Sequence, residues 1–411
     1  PIKRDLGISD MQFGLLHGLA FSLSFTVFGL LAGTLADRFN RRRIIFACVS
    51  VWSLATAACG MAQSFSHMLL ARVGVGAGEA GLNPCATSMI TDLFPRERLT
   101  SALAVYAIGA SVGSGCAYLF GGLIVEMVSQ TSTIVMPVIG EMRSWQAVFF
   151  IVGIPGAILS LIIFTVPEPV RRGRRLQQSQ PGFWRGTFGG YGELFRFIRP
   201  RSRFFAFHYA GFAVASMIVT GSGAWYPAHM SRNFGWSPGE IGLTLGLTLI
   251  ASATAGKLLC GYFVDAMYRR GLRDAQIRWY AGCLLAATPV GLIATTSGTP
   301  WVFLGGIAIF LALLSPLPAC ASAALNLVTP NELRGAGFAL FASTSGLVGA
   351  GSGSLLIAAA SDYLFGGGAT IGLGIATVIA VCCPVAAVLL ACGFRAMREA
   401  MAEAESELSK N

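Results

Sequence analysis

Charged residues are scarce in this chain of 411 residues: they make up 12% of it, whereas soluble domains carry about 25%. Hydrophobic residues make up 54%. The 51 glycines fit a bundle of membrane helices, in which small residues let neighbouring helices approach closely. The composition therefore excludes an ordinary soluble domain and favours a membrane protein.

The usual patterns of catalytic and metal-binding residues are also missing. The ten cysteines lie in apolar segments, and none has the spacing of a metal site or of a secreted disulfide framework. There is no nucleophile–base pattern and no Walker motif. We therefore expect neither an enzyme nor a metal site, and no cofactor. The histidines fall in separate elements, where packed or interfacial side chains are favoured: His17, His67, His208 and His229.

Eleven stretches of the chain are long and apolar enough to cross a membrane as a helix, which takes about 20 residues. The sequence therefore predicts an all-α membrane protein. The predicted spans are residues 13–36, 44–62, 68–93, 101–128, 145–166, 203–230, 238–264, 276–297, 300–329, 335–361 and 370–394.

A long basic segment, residues 167–202, separates five of these spans from the other six. It ends in an amphipathic run, YGELFRFIR, which favours a helix lying on the inner leaflet. The sequence thus predicts two helix bundles, residues 1–166 and 203–394, joined by this linker and followed by a cytoplasmic tail, residues 395–411.

Positive charge is concentrated in the loops on one side of the predicted spans, which hold most of the 29 Lys and Arg residues. These loops and the C terminus are therefore expected in the cytoplasm, and the membrane is expected to be a bacterial inner membrane. The net charge of +10 is a topology signal and does not indicate nucleic-acid binding, which needs a basic face on a folded domain. Residues 1–10 would then lie outside. We expect an earlier, twelfth helix that completes two sets of six.

One loop pattern occurs twice. The segments GLLAGTLADRFNRRR and GKLLCGYFVDAMYRR align Asp37 with Asp265, and the same alignment places Arg41 on Arg269. Duplicated six-helix halves are typical of secondary transporters, in which the substrate site lies between the halves near the bilayer midplane.

The segment GTLADRFNRRRII resembles the cytoplasmic loop motif of the major facilitator superfamily. The segments WSLATAACGMAQSF, RVGVGAGEAGLNP and WQAVFFIVGIPG resemble the Spinster family of that superfamily. The resemblance implies the fold of two six-helix bundles. It also implies an amphipathic substrate, since members of the Spinster family are implicated in moving lysophospholipids and sphingoid phosphates.

Arg72 and Glu79 are two charged residues within an apolar span. They are seven residues apart, so they share one face of a helix. A charge at such depth costs at least about 2.5–3.5 kcal/mol and should face a cavity or a partner. We expect Glu79 to carry the coupling proton and Arg72 to assist it and to bind a phosphate or carboxylate of the substrate. The alternative is a fixed buried pair that only holds helices in register.

Three further polar residues are candidates for contact with the substrate. Lys257 either extends its charge to the membrane surface or binds an anion in the cavity. Asn83 and Asn326 either bind a substrate headgroup or form hydrogen bonds to a neighbouring helix.

The repeated loop suggests a conformational latch between the two bundles. Asp37, Arg38 and Arg41 would hold the cytoplasmic side closed, with Asp37 bonded to a helix N-terminus or to arginines of the facing bundle. The alternative is that Arg38 and the basic residues 41–43 only anchor the loop on the cytoplasmic side. The corresponding residues of the second repeat suggest a second latch: Asp265, Arg269 and Arg270.

The favoured function is a proton-coupled secondary transporter that moves an amphipathic, anionic substrate by alternating access. Few polar residues lie in the spans, which disfavours sugars as substrates. Small organic or aromatic acids are the alternative. A non-transporting membrane sensor would need a sizeable output domain, and the tail REAMAEAESELSKN is too short to be one. Membrane lipids and the substrate are the expected partners, and a monomer is expected.

Overall fold

The computed structural model describes residues 2–93, 96–129, 133–136, 140–169 and 183–408. These residues are almost entirely helical, and ten of their helical segments are long and apolar enough to cross a membrane. The ten segments lie at ten of the eleven predicted spans, so the all-α membrane architecture is confirmed.

Contacts divide the chain into two compact units. The first unit comprises Pro1–Thr187 and Ser237–Leu243, and the second comprises Phe188–Trp236 and Thr244–Asn411. The helices of the first unit are α1 (Ile2–Leu6), α2 (Asp10–His17), α3 (Leu19–Arg38), α4 (Arg41–Cys59), α5 (Phe65–Glu79), α6 (Leu82–Leu93), α7 (Arg96–Ser129) and α8 (Ser144–Leu159). The later helices, which belong mainly to the second unit, are α9 (Phe183–Ile198), α10 (Ser202–Phe234), α11 (Pro238–Arg269), α12 (Ala275–Thr296), α13 (Pro300–Leu314), α14 (Leu317–Val328), α15 (Asn331–Thr344), α16 (Gly351–Ala359) and α17 (Ile371–Leu408).

The predicted span 68–93 is divided between α5 and α6, with a break at Ala80 and Gly81. A Cβ at Gly81 would lie 2.5 Å from the sulfur of Cys48, so the chain passes α4 more closely there than any other residue would allow. Pro84 lies in the first turn of α6, where its missing N–H costs no helical hydrogen bond. These residues explain why one apolar stretch forms two helices.

α4 lies between α5 and α8 in the first unit, and glycines let the three backbones touch. A Cβ at Gly78 would lie 2.5 Å from the backbone nitrogen of Trp52. One at Gly153 would lie 2.7 Å from the carbonyl oxygen of Ser53. Close glycine contacts of this kind are typical of helix packing in membranes. An apolar cluster joins the same helices to α2: Ile8, Leu16, Cys59, Ala62, Met68 and Trp145.

The second unit is built around α10, α12 and α17. Phe212 on α10 stacks on Tyr280 of α12, with ring centroids 5.3 Å apart. A Cβ at Gly211 would lie 2.7 Å from the Leu390 side chain on α17. His208 is fully enclosed in this core, and its Nε2 lies 2.9 Å from the carbonyl oxygen of Ala321. It is therefore a packed histidine.

Three segments differ from the expectation drawn from the sequence. A short antiparallel hairpin, β1 (Thr133–Met136) with β2 (Gly140–Arg143), lies between α7 and α8, where no strand was predicted. The amphipathic helix α9 begins at Phe183, upstream of the run predicted for it. The predicted tail continues α17 as far as Leu408, because Met397, Ala400 and Met401 are buried and extend its apolar face.

Candidate functional site

Arg72 and Glu79 are both half-buried side chains on α5. Ser64 caps this helix by accepting a hydrogen bond from the backbone N–H of His67, which fixes the start of the helix at Phe65. Arg72 therefore lies about 10 Å into the helix, and Glu79 is its last residue. The carboxylate therefore lies next to the junction of α5 and α6.

Arg72 and Glu79 are not bonded to each other, although both belong to the part of the chain that the structure describes. They are about 10 Å apart along the helix axis, which is beyond hydrogen-bond reach. The charge of Arg72 still acts on Glu79 through space. The two residues interact electrostatically without the direct contact that a fixed ion pair would have.

α3 and α5 run parallel, and their backbones nearly touch. A Cβ at Gly76 would overlap the Ser24 hydroxyl and would lie 2.6 Å from the carbonyl oxygen of Phe21. Gly29, later in α3, approaches the side chain of Ala80, which follows α5. Later residues of one helix thus contact later residues of the other, as in a parallel pair. This packing fixes the height of each residue of α3 relative to α5.

His17 lies at the height of Arg72. It ends α2 at a break in the first span, where Gly18 has the non-helical angles φ −93° and ψ −80°. His17 precedes Phe21 by four residues, and Arg72 precedes Gly76 by four. Because Phe21 contacts Gly76, the two charged or ionisable side chains lie at one level. The His17 side chain is exposed, and the charge of Arg72 acts on it.

His17 was given no functional role from the sequence, because an isolated histidine was interpreted as packed or interfacial. One signal in the sequence could have identified His17. It lies seven residues after the start of its helix at Asp10, and Arg72 lies seven residues after the start of α5 at Phe65. The two helices begin on the same side of the membrane, so equal distances from their starts indicate a similar depth. The first unit therefore holds three ionisable side chains that act on one another through space: Arg72 acts on His17 and on Glu79, which is about 10 Å further along α5. We refer to His17, Arg72 and Glu79 as the polar cluster.

The other polar candidates belong to the second unit or already have protein contacts. The Oδ1 of Asn83 on α6 accepts a hydrogen bond of 2.5 Å from the Tyr106 hydroxyl, which joins α6 to α7. Lys257 and Asn326 are exposed side chains on α11 and α14 of the second unit.

Arg41 forms a buried network at the end of the first unit. Its side chain is 1% exposed and makes ion pairs with Asp92 on α6, at 2.5 Å, and with Glu168, at 2.8 Å. It also donates hydrogen bonds to the Ser88 hydroxyl and to the carbonyl oxygen of Pro169. These partners belong to the same unit as Arg41. In this structure Arg41 therefore ties α4 to α6 and to the segment after α8.

Glu168 also contacts the start of α4. Its carboxylate accepts a hydrogen bond of 3.1 Å from the backbone N–H of Arg42. Burial opposes ionisation of this carboxyl group, but the hydrogen bonds from Arg41 and Arg42 outweigh burial and hold the pKa of Glu168 below its usual range. The sequence did not identify Asp92 and Glu168 as partners of Arg41. The one available signal was that both are acidic residues next to basic loops.

The remaining latch candidates are less defined. The backbone of Asp37 and Arg38 ends α3, but the side chains of both lie outside the described part of the structure. Asp265, Arg269 and Arg270 are exposed at the end of α11. Within the described residues, no group of three or more His, Cys, Asp or Glu side chains is placed to hold a metal ion.

Known proteins resemble this chain over most of its length. A crystal structure of a bacterial homologue of the human lysosomal transporter Spinster, in an inward-facing and unoccupied conformation, matches with a TM-score of 0.73 and 25% sequence identity, covering 97% of this chain and 91% of that one. A probable L-galactonate transporter of Escherichia coli is 25% identical over 75% of this chain and 66% of its own length. The sphingosine-1-phosphate transporter of Mus musculus is 26% identical over 56% of this chain and 39% of its own length.

These two curated relatives are thus matched over less than two thirds of their own length. The likeness to the Spinster homologue covers nearly the whole chain and carries the membrane-transporter architecture, which is not that of an enzyme. The family model of the Major Facilitator Superfamily matches residues 1–353. This chain therefore belongs to the Major Facilitator Superfamily, and within it resembles the Spinster transporters.

Proposed function

We propose that this protein is a proton-coupled transporter of an amphipathic, anionic lipid-like substrate of the lysophospholipid or sphingoid-phosphate class. The observation that carries the proposal is the polar cluster of the first unit, in which Arg72 lies level with His17 and acts on Glu79. Transport proceeds by alternating access, with the basic loops in the cytoplasm of a bacterial cell.

Arg72 is the group that binds the anionic headgroup. Its guanidinium stays charged at all physiological pH values and matches the geometry of phosphate and carboxylate oxygens. Arg72 lies about 10 Å inside its helix, where low polarity strengthens an ion pair. Since Glu79 does not bond it directly, the guanidinium has donors to offer to a substrate.

Glu79 is the group that exchanges the proton. When a substrate anion neutralises Arg72, the ionised carboxylate loses the positive charge that acts on it, and binding a proton becomes more favourable. When the substrate leaves, the opposite holds. Binding of the anion to Arg72 is therefore linked to binding of the proton to Glu79.

His17 adds a second ionisable group at the level of the headgroup. A protonated imidazole would contribute another positive charge and two N–H donors, while a neutral one would contribute one donor and one acceptor. His17 would therefore adjust anion binding to pH, in addition to the exchange at Glu79.

A small organic acid is the second candidate substrate. It is favoured by the likeness to the probable L-galactonate transporter, since the carboxylate of such an acid would pair with Arg72 as a phosphate does. The two candidates differ in the apolar tail, which a sugar acid lacks.

Reconstituted protein distinguishes them. Proteoliposomes with a pH gradient are given labelled lysophosphatidate, sphingosine 1-phosphate or galactonate, and uptake is compared with that of Arg72→Gln. The exposed Arg395, which pairs along its own helix with Glu399, supplies the matched control Arg395→Gln. We expect the lipid-like anions to be moved by the wild type and by the control, and not by Arg72→Gln. Movement of galactonate alone would replace the lipid-like substrate with an organic acid.

A further inference from the structure

An apolar groove lies on the surface of the second unit, between α11, α12 and α13. Its volume is about 270 Å³. Its walls come from one residue each of α11 and α13 and from one face of α12: Met267, Leu313, Trp279, Gly282, Cys283 and Ala286. The indole of Trp279 stacks on the ring of Phe263, with centroids 4.8 Å apart, which fixes one wall.

The length of the groove is close to the thickness of hydrocarbon that an acyl chain crosses in one leaflet. Its residues on α12 recur at the spacing of a single helix face and extend about 12 Å, from Arg278 to Ala286. Because α12 begins at Ala275, the groove runs from the membrane surface to about the middle of a hydrocarbon core roughly 30 Å thick. Gly282 and Ala286 are exposed, so the groove opens outward.

Arginines lie at and near one end of the groove, where Arg278 is the charged residue that lines it. Arg278 pairs with Asp274 at 2.8 Å and lies over the ring of Phe394, and Arg398 approaches the same carboxylate at 3.8 Å. One buried carboxylate thus faces two guanidinium groups. Arg270 and Arg273 do not line the groove, but they are exposed in the turn that leads into α12 and add positive charge near that end. Arg273 also donates to the Tyr268 hydroxyl at 3.4 Å.

We propose that this groove binds an anionic glycerophospholipid of the surrounding leaflet. One acyl chain lies along α12 between Trp279 and Leu313, and the phosphate lies among Arg273, Arg278 and Arg270. The arginines at this end of the groove and the apolar walls complement the two parts of such a lipid, and a zwitterionic headgroup would gain less from the arginines. This lipid is a bound component of the second unit and not the transported substrate, since the groove shares no residue with the polar cluster.

Native mass spectrometry of the purified full chain tests the site. The probes are dioleoyl phosphatidylglycerol and dioleoyl phosphatidylcholine, which differ only in the headgroup. A Cβ at Gly282 would meet nothing within 4 Å, so the substitution Gly282→Leu fits and fills the groove. Gly305 on α13 is also exposed with open space at its Cβ, and Gly305→Leu is the matched control.

We expect the wild type and Gly305→Leu to retain one phosphatidylglycerol in preference to phosphatidylcholine, and Gly282→Leu to lose that retention. Arg273→Gln should weaken binding of phosphatidylglycerol about fivefold and leave phosphatidylcholine unchanged. All variants are compared as monodisperse protein, and Ala286→Leu replaces Gly282→Leu if the latter does not fold.

Three results would overturn the proposal. The first is retention by the groove-filling variant equal to that of the wild type. The second is equal retention of both lipids by the wild type. The third is loss of the lipid from Arg72→Gln, which would place it in the transport pathway.

Discussion

Arg72 and His17 lie at one level in the first unit, although 55 residues of sequence separate them. The close approach of α3 to α5 sets this level, and the approach depends on one glycine, Gly76. Arg72, the proposed binding group, and His17 are therefore positioned by backbone packing rather than by a bond between them.

The pH profile of transport tests the role of His17. Replacing it in His17→Gln removes an ionisable group at the level of Arg72, so the pH dependence of substrate uptake in proteoliposomes should differ from that of the wild type. His67, exposed at the start of α5, supplies the control His67→Gln, which should keep the wild-type profile. Identical profiles for both variants would remove His17 from the mechanism.

Gly76 should tolerate no side chain. In Gly76→Ala the new methyl group would overlap Ser24 and the backbone of Phe21, so α3 and α5 would separate at a cost of about 1–3 kcal/mol. The thermal melting temperature should fall, and transport should fall with it. Gly113→Ala on α7, where a Cβ would meet open space, should leave both unchanged. Wild-type melting of Gly76→Ala would contradict the packing described for α3 and α5.

Arg41 should be among the most sensitive residues for stability. Arg41→Gln leaves Asp92 and Glu168 without their buried partner, and loss of one partner from a buried ion pair costs about 3–5 kcal/mol. The exposed Arg43 gives the comparison Arg43→Gln, which should melt within a degree or two of the wild type. Equal melting temperatures for the two variants would show that the Arg41 network contributes no stability.

Acid should weaken the same network. The folded pKa of Glu168 lies below its ordinary value of 4.5, so its contribution to stability is present above that pH and is lost as the pH falls through the folded pKa. Glu168→Gln should therefore melt below the wild type at neutral pH, and the difference should narrow below pH 4.5. A difference that is constant with pH would mean that the carboxylate charge plays no part.

Much of the fold could be predicted from the sequence, because a long run of apolar residues is enough to identify a membrane span. Ten spans follow from their apolar length. The break between Glu79 and Leu82 does not, since it depends on how closely Gly81 passes Cys48, a contact between different helices. The hairpin between α7 and α8 was missed because its strands are short and lie in a loop.

The site could be predicted only in part. Arg72 and Glu79 are conspicuous because charge is rare in apolar spans. The partners of Arg41 are separated from it by 51 and 127 residues, so only the folded chain shows them. His17 has no unusual sequence context, and its level beside Arg72 appears only once α3 is packed on α5.

Proton coupling at Glu79 is the central claim, and the most direct measurement is uptake driven by a pH gradient in proteoliposomes containing Glu79→Gln. The exposed Glu141 on β2 gives the matched control Glu141→Gln. We expect Glu79→Gln to exchange substrate across the membrane without accumulating it, while the control accumulates it as the wild type does. Accumulation by Glu79→Gln at the wild-type level would contradict the account.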